Sequence, residues 1–194
     1  DDFIYLGAGD NKGCSVNVWR ATTYSKFNLG HMTQTSEWSM DMICASPAPD
    51  DSLLAADSRL QGVKPAGLID GTLYMSFEAQ NYGDFPLFRR QHNLFGWIAV
   101  SKDGGRSFDN NAVPFDFFEG KLSSCHFLQF GRGYEGARDE YVYAYFPYDE
   151  DNGESYWENN DALLLGRVPK DKILERNEWE FFASSDPLKP EWTK

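Results

Sequence analysis

Asp139-Glu-Tyr-Val-Tyr143 is the third copy of a short pattern: an aspartate, two further residues, an aliphatic residue and a tyrosine. The other two copies are Asp1-Asp-Phe-Ile-Tyr5 and Asp70-Gly-Thr-Leu-Tyr74. The three aspartates stand at positions 1, 70 and 139, so both intervals are 69 residues long. Equal spacing between copies indicates a structural unit that repeats along the chain.

Each copy continues into β-branched and aromatic residues, which favour a β-strand. A second apolar segment follows each copy and predicts a paired strand: Val16–Trp19, Trp97–Val100 and Leu163–Gly166. Further strands are predicted before the second and third copies and behind all three: Pro65–Ile69, Cys125–Phe130, Trp38–Ile43, Phe115–Phe118 and Trp179–Phe182. Val168–Arg176 has Pro near its start and predicts one or two turns of helix.

About four strands per repeat at a fixed period predict an all-β protein, a β-propeller of four-stranded blades. An aligned β-sandwich is the alternative, but it does not explain the equal intervals. Residues 1–194 are predicted to form one domain whose repeats start near positions 1, 64 and 125. Propellers close with typically four to eight blades, and we expect about three blades here. The chain is therefore expected to be a piece of a longer protein, lacking its N-terminal part and, in one interpretation, its C-terminal part as well.

Composition limits the partners. Thirty Asp and Glu against eighteen Lys and Arg give a net charge of −12, which repels nucleic acid and anionic membranes. No apolar run approaches the ~20 residues that cross a bilayer, and no segment has the form of a signal peptide. Cys14, Cys44 and Cys125 lack CxxC spacing, which predicts buried apolar side chains or one bridge with one thiol left over.

The segment Ser101-Lys-Asp-Gly-Gly-Arg-Ser-Phe108 follows a predicted strand and contains a strong turn signal, Asp-Gly-Gly. Ser and Asp side chains in such a turn bond to neighbouring backbone groups, and Phe108 is expected to anchor it in the core. The octet resembles the Asp-box of sialidases and other glycan-processing propellers, with Ser107 for Thr and Phe108 for Trp. The resemblance implies a folding role away from the active site.

The rest of the chain resembles a largely uncharacterised family of secreted bacterial and fungal propellers that includes endo-D-arabinanases. The matching phrases are Asp1–Asp10, Lys64–Tyr74, Gly131–Tyr143 and Leu165–Arg176. The resemblance implies a propeller that is five-bladed when complete, an extracellular or cell-surface location and a polysaccharide or other glycan as substrate. The chain departs from the family pattern at Gly9-Asp10-Asn11, where a further glycine is usual.

If the strands are arranged as blades, the ends of the tyrosine-containing strands open on one face with the links between blades. Asp10, Glu78 and Asp149 are predicted at these ends, and Lys64 and His126 ahead of the first strands. The loops Asn81–Asn93 and Asp149–Asp161 place aromatic rings beside charged groups, a combination that suits sugar rings. Candidate substrate-binding residues are Lys64, Tyr82, Arg89, His92, His126 and Trp157.

Glycoside hydrolysis usually needs two carboxyl groups, about 5 Å apart for retention of configuration and about 6.5–9.5 Å apart for inversion. Asp10 is the first candidate, since the resemblance also implies an acidic residue there. Its candidate partner is Glu78 or Asp57, or a residue of the expected additional amino-terminal part. Against this, Asp10 in Gly-Asp-Asn is also typical of a turn. Three alternatives therefore stay open: an endo-acting glycoside hydrolase, a non-catalytic carbohydrate-binding or cell-surface propeller, and a protein-binding propeller.

No cofactor is predicted. The separated histidines His31, His92 and His126 argue against a zinc site. The acidic loop from Asp149 has oxygen ligands that suit Ca²⁺, but it lacks the regular spacing of a calcium loop.

Overall fold

The computed structural model describes residues 4–11, 14–21, 36–39, 58–63, 67–69, 71–81, 93–103, 108–109, 112–114, 116–119, 122, 125–148, 160–186 and 188–194. In these segments the protein is all-β, and its helices are short 3-10 turns. None of these helices has the length and apolarity needed to cross a bilayer.

Three antiparallel sheets follow one another along the chain. The first contains β1 (Ile4–Asn11), β2 (Cys14–Ala21) and β3 (Ser36–Ser39). The second contains β4 (Ser58–Val63), β5 (Gly67–Ile69), β6 (Thr72–Asn81) and β7 (Asn93–Ser101). The third contains β8 (His126–Phe127), β9 (Tyr141–Tyr148), β10 (Ala162–Pro169), β11 (Glu180–Phe182) and β12 (Trp192–Thr193), in the order β12-β11-β10-β9-β8.

The strands that contain the repeated tyrosines, β1, β6 and β9, each pair with the next strand in an antiparallel hairpin. The three sheets therefore use the same local pairing at equivalent positions of the 69-residue repeat. This confirms the predicted strands at the start of each copy and the second apolar segment of each.

β6 is the central strand of the second sheet. One edge pairs with β7 along nearly its whole length, so β4 and β5 share the other edge. Gly67–Ile69 lie opposite Tyr74–Thr72, whereas Ser58–Val63 lie opposite Asn81–Phe77. The edge strands β4 and β5 thus begin earlier in the chain than the predicted Pro65–Ile69, and residues 64–66 lie outside the described segments.

The second sheet is buried on both faces. Trp97, Ile98, Ala99 and Val100 follow one another in β7, and all four are buried. Because alternate residues of a strand point to opposite faces, consecutive burial means that protein covers both sides of the sheet. The neighbours are consistent with this: β4 lies beside β1 and β2, and β5 lies beside the 3-10 helix Arg132–Tyr134 of the third repeat.

The third sheet packs one face on this core. Val142, Ala144 and Phe146 of β9 are buried and alternate with more accessible residues. Phe146 meets Phe118 and Trp179 edge to face, with ring centroids 5.0 and 5.5 Å apart, and the Trp179 Nε1–H donates to the Ile173 carbonyl oxygen at 3.0 Å. This arrangement buries large aromatic surfaces while keeping the indole donor satisfied.

Two segments have a structure that differs from the one predicted from the sequence. Asp116–Glu119 form a turn in which the Glu119 N–H donates to the Asp116 carbonyl, so the strand predicted at Phe115–Phe118 is wrong. Phe117 and Phe118 are buried by the core rather than by strand pairing, and Asp109 makes the bridge to Val100 instead. The helix predicted over Val168–Arg176 is reduced to 3-10 turns at Lys170–Lys172 and Arg176–Glu178, because Val168 and Pro169 belong to β10.

The turn after β7 is described at its two ends. The Ser101 hydroxyl donates to Asp103 Oδ1 at 2.8 Å, and Phe108 packs against the core. The backbones of Val100 and Asp109 exchange two hydrogen bonds that close the hairpin. Residues 104–107 lie outside the described segments.

Cys125 connects the second and third sheets. Its N–H donates to the Ser76 hydroxyl at 3.0 Å, between residues far apart in sequence. The thiol is free and buried, and its burial raises the pKa of Cys125 to about 12. Cys125 therefore behaves as the small buried side chain that was one of the two sequence interpretations.

Candidate functional site

The ends of β1 and β6 carry the two strongest candidate carboxylates. Asp10 is the penultimate residue of β1. Its neighbours Gly9 and Asn11 lie opposite Val16 and Cys14 of β2. Glu78 lies in β6 opposite Gln61 of β4 and Gly96 of β7. Asp10 is therefore in a strand that turns into a hairpin, and Glu78 lies near the end of the equivalent strand.

β4 relates these two positions in space. It is hydrogen-bonded to the half of β6 that contains Glu78, and it also lies beside β1 and β2. The strands that carry Asp10 and Glu78 are therefore both neighbours of β4. Ser58, the first residue of β4, lies opposite Asn81, the last residue of β6. β4 therefore begins at the end of the sheet where β6 ends.

Most of the remaining candidates lie outside the described residues: Asp57, Lys64, Tyr82, Arg89, His92, Asp149 and Trp157. In sequence, Asp57 immediately precedes β4 and Lys64 immediately follows it.

His126 is the one described substrate-binding candidate. It begins β8 opposite Tyr145 of β9, three residues before that strand ends. Its side chain is half-buried and lies on the face of the sheet opposite to the buried Phe127. The structure thus places His126 toward the end of the third sheet at which the β9–β10 connection begins.

A cluster around Arg167 was not anticipated from the sequence. Arg167 lies opposite Tyr143 in β9 and Glu180 in β11. Its Nε and Nη2 atoms donate to Glu180 Oε2 at 3.0 and 2.9 Å. The guanidinium carbon lies 4.2 Å from the centre of the Tyr141 ring and 3.9 Å from that of Trp192. No local sequence signal marks this cluster, because its members come from separate strands.

Tyr143 joins the Arg167 cluster to the repeated aspartate. Its hydroxyl donates to Asp139 Oδ2 at 2.7 Å, and the N–H of Tyr141 donates to Asp139 Oδ1 at 2.9 Å. Burial is the largest cause that raises the pKa of Tyr143 above its ordinary value, and the neighbouring Asp139 carboxylate raises it further. The phenol therefore stays protonated near neutral pH and acts as a hydrogen-bond donor.

The chemistry of this cluster is structural. Glu180 occupies the fork of the guanidinium and two aromatic rings flank it, an arrangement that uses the planar geometry peculiar to arginine. Tyr134 adds a second phenol, whose oxygen accepts from the Tyr143 N–H at 3.2 Å; burial raises the pKa of Tyr134. These contacts fix β12 and the start of β9 to the sheet and do not present a nucleophile.

Among the residues whose placement is described, no group of three or more His, Cys, Asp or Glu side chains is arranged to hold a metal ion.

Comparisons with known proteins add a likeness of fold. No protein-family model matches the chain, and no curated protein matches it. Among solved structures, the chain is similar to a "putative hydrolase" from Bacteroides ovatus, with 14% sequence identity and a TM-score of 0.52. The similarity covers 100% of this chain and 51% of that protein, so the chain spans about half the length of the similar structure. At this sequence identity, the comparison shows a shared fold alone.

Proposed function

We propose that this chain forms three successive blades of a β-propeller that acts on a glycan, as an endo-acting glycoside hydrolase with Asp10 and Glu78 as its acid/base pair. The observation that carries the proposal is the position of β4, which adjoins the strands of both carboxylates. Asp57 is the alternative partner, since it immediately precedes the same strand.

The fold part of the proposal is supported by the recurrence of the antiparallel hairpin in three sheets and by the burial of the second sheet on both faces. Blades that cover one another's faces would produce this burial. The resemblance of Ser101–Phe108 to an Asp-box fits the same architecture. The hydrolytic part is supported by the likeness to the Bacteroides ovatus protein, which is described as a putative hydrolase.

A glycan is favoured over other substrates by the composition of the connections beyond β6 and β9. They contain Tyr82, Arg89, His92 and Trp157 among acidic residues. Aromatic faces pack on the C–H face of a sugar, and charged groups bond to its hydroxyls. The net charge of −12 disfavours polyanionic polymers, so a neutral polysaccharide such as an arabinan is the first substrate to test.

The test measures the release of reducing ends from a panel of neutral polysaccharides. We expect Asp10→Asn and Glu78→Gln each to lower the initial rate by about 100-fold or more, since positioned acid/base groups contribute about that much. Asp171→Asn is the matched control, because Asp171 is exposed in a 3-10 turn of the third sheet. Thermal unfolding of every variant should stay close to that of the parent.

The same panel separates the enzyme from its alternative, a non-catalytic carbohydrate-binding or cell-surface propeller. Retention on the immobilised polysaccharides is measured beside the release of sugars. Retention without release would favour the binding function and contradict catalysis. Release that is unchanged in both carboxylate variants would instead show that other residues carry the reaction.

A further inference from the structure

The connection between the first two strands of the third sheet is much longer than its counterpart in the second sheet. In the second sheet, Ile69 at the end of β5 lies opposite Thr72 at the start of β6, so a short turn joins the two strands. In the third sheet, β8 ends at Phe127 and β9 begins at Tyr141. Residues 128–140 lie between these two strands and are here called the strap.

The strap is closed by hydrogen bonds within itself. The Gly136 N–H donates to the Phe130 carbonyl oxygen at 2.7 Å, and the Ala137 N–H donates to the Tyr134 carbonyl oxygen at 3.1 Å. A Cβ atom on Gly136 would lie 2.7 Å from the Phe130 oxygen, so this closure depends on glycine. Compact loops of this kind are packed by their own side chains, and the strap therefore has a defined structure of its own.

Tyr134 anchors the strap in the core. Its side chain is 4% exposed, and its ring meets the Phe130 ring edge to face, with centroids 5.3 Å apart. The backbone of Tyr134 has a φ of 68°, in the left-handed region that is unfavourable for a bulky residue. Such a conformation persists only where the surrounding contacts hold it, so the strap depends on the buried ring.

Tyr134 also completes the edge of β9. The Leu128 N–H donates to the Tyr143 carbonyl oxygen at 2.9 Å, and in a regular antiparallel pair the Tyr143 N–H would return a bond to the same residue. Instead, that N–H donates to the Tyr134 hydroxyl at 3.2 Å. Asp139 accepts the next N–H along this edge, that of Tyr141, at 2.9 Å. The strap thus satisfies two amides of β9 that lie beyond its pairing with β8.

The strap reaches the second sheet as well. Its 3-10 helix Arg132–Tyr134 lies beside β5, whose residues Gly67–Ile69 pair with the start of β6. Ile69 and Tyr134 both belong to the buried core cluster. One short segment therefore contacts β5 of the second sheet and β9 of the third.

We propose that the strap and β5 form one unit that opens and closes together, while the hairpins β6–β7 and β9–β10 stay folded. β5 has three residues, so its pairing with β6 is weak unless the strap covers it. The Cys125–Ser76 bond and the packing of Trp179 on Phe118 join the same sheets without the strap. Opening would expose the edges of β6 and β9, and such edges pair with other chains. The closed unit therefore protects both sheets.

Native-state hydrogen exchange of the full chain, followed by NMR at low urea concentrations, tests the proposal. If the unit opens as one, the amides of Ile69, Ala137 and Tyr143 share one opening free energy and one urea dependence. The amides of β7 need a larger opening and should exchange more slowly. An Ile69 amide whose opening differs from that of the two strap-dependent amides would overturn the proposal.

Gly136→Ala weakens the strap without changing β5 or β9, because the added Cβ atom would meet the Phe130 carbonyl oxygen. The Ile69 and Tyr143 amides should then exchange faster by the same factor, about tenfold. Glu135→Ala is the matched control, since Glu135 is exposed in the strap, and it should leave both rates unchanged. Faster exchange at Tyr143 alone would show that the strap opens without β5, contrary to the proposal.

Tyr134→Phe replaces Gly136→Ala if that variant does not fold. It keeps the buried ring and removes only the hydroxyl that accepts the Tyr143 N–H. The Ile69 amide, in the other sheet, should exchange about fivefold faster, which corresponds to the loss of one hydrogen bond. An Ile69 rate equal to that of the parent would overturn the proposal here too. Circular dichroism verifies the folding of each variant.

Discussion

At the scale of single residues, the repeated pattern encodes a local contact. Asp139 accepts the backbone N–H two residues later and the tyrosine hydroxyl four residues later. The spacing therefore reflects geometry at the start of a strand: a carboxylate fixes the turn and holds the phenol of the same strand. Tyr74 of the second copy is half-buried on the equivalent strand, and the pattern predicts the same contact with Asp70.

A double-mutant cycle between Asp139 and Tyr143 tests this interpretation. Each side chain makes other contacts, but only the 2.7 Å bond between them should appear as a coupling free energy. We expect a coupling of about 0.5–1 kcal/mol from denaturant unfolding of Asp139→Ala, Tyr143→Phe and the double variant, since the bond is charge-assisted but exposed. Asp139→Ala combined with Tyr145→Phe is the control and should be additive. Additivity in both cycles would show that the repeated spacing has another origin.

At the scale of strands and sheets, packing at Gly166 limits how β9, β10 and β11 fit together. Gly166 lies opposite Ala144 and Phe181, and a Cβ atom there would come within 2.7 Å of Phe146 Cε2 and 3.2 Å of Phe181 Cε1. Both rings belong to the core cluster or pack against it. The absence of a side chain at this position therefore lets two aromatic rings close over the strand.

Gly166→Ala should accordingly destabilise the protein by about 1–3 kcal/mol, the usual cost of forcing an extra methyl group into a packed interior. The measurement is the free energy of unfolding in urea. Ala162→Gly on the same strand removes a half-buried methyl group and serves as a comparison, for which we expect a smaller loss. A Gly166→Ala variant as stable as the parent would show that Phe146 and Phe181 can move apart at no cost.

The elements that could be predicted from the sequence are those whose signal is local. β6 and β9 follow from runs of β-branched and aromatic residues, and β10 follows from the apolar run Leu163–Leu165. Phe117 and Phe118 were misassigned because a pair of buried aromatics looks alike in a strand and in a turn that packs on a core. The Arg167 cluster could not be predicted, since the partners of Arg167 come from three other strands, β9, β11 and β12, and only the register brings them together.

The candidate site, too, could be predicted only in part from the sequence. Asp10 lies near the end of β1, as the sequence indicated, whereas Glu78 lies within β6, three residues before that strand ends. The relation between them depends on β4, which lies at the edge of one sheet and beside the strands of another. Its sequence, Ser58-Arg-Leu-Gln-Gly-Val63, is short and does not alternate regularly between polar and apolar residues, so this strand had no distinctive local signal.

At the scale of the whole molecule, the sheets should differ in the rate at which their backbone amides exchange hydrogen with solvent. The second sheet is buried on both faces and the third on one, while β11 and β12 contain only three and two residues. Backbone amides exchange through openings whose free energy increases with the buried contacts that must be broken. We therefore expect the amides of β7 to exchange slowest, those of β9 and β10 next, and those of β12 fastest.

Hydrogen exchange followed by mass spectrometry of peptides measures this order directly. Trp179→Phe provides a perturbation, since Trp179 is fully buried where Phe118 and Phe146 meet and its Nε1–H donates to Ile173. If the second and third sheets unfold as one unit, this variant should speed exchange in β7 and β9 by the same factor. Faster exchange in β9 alone would show that the third sheet opens independently, and the stack of sheets would then be a series of separate units rather than one cooperative core.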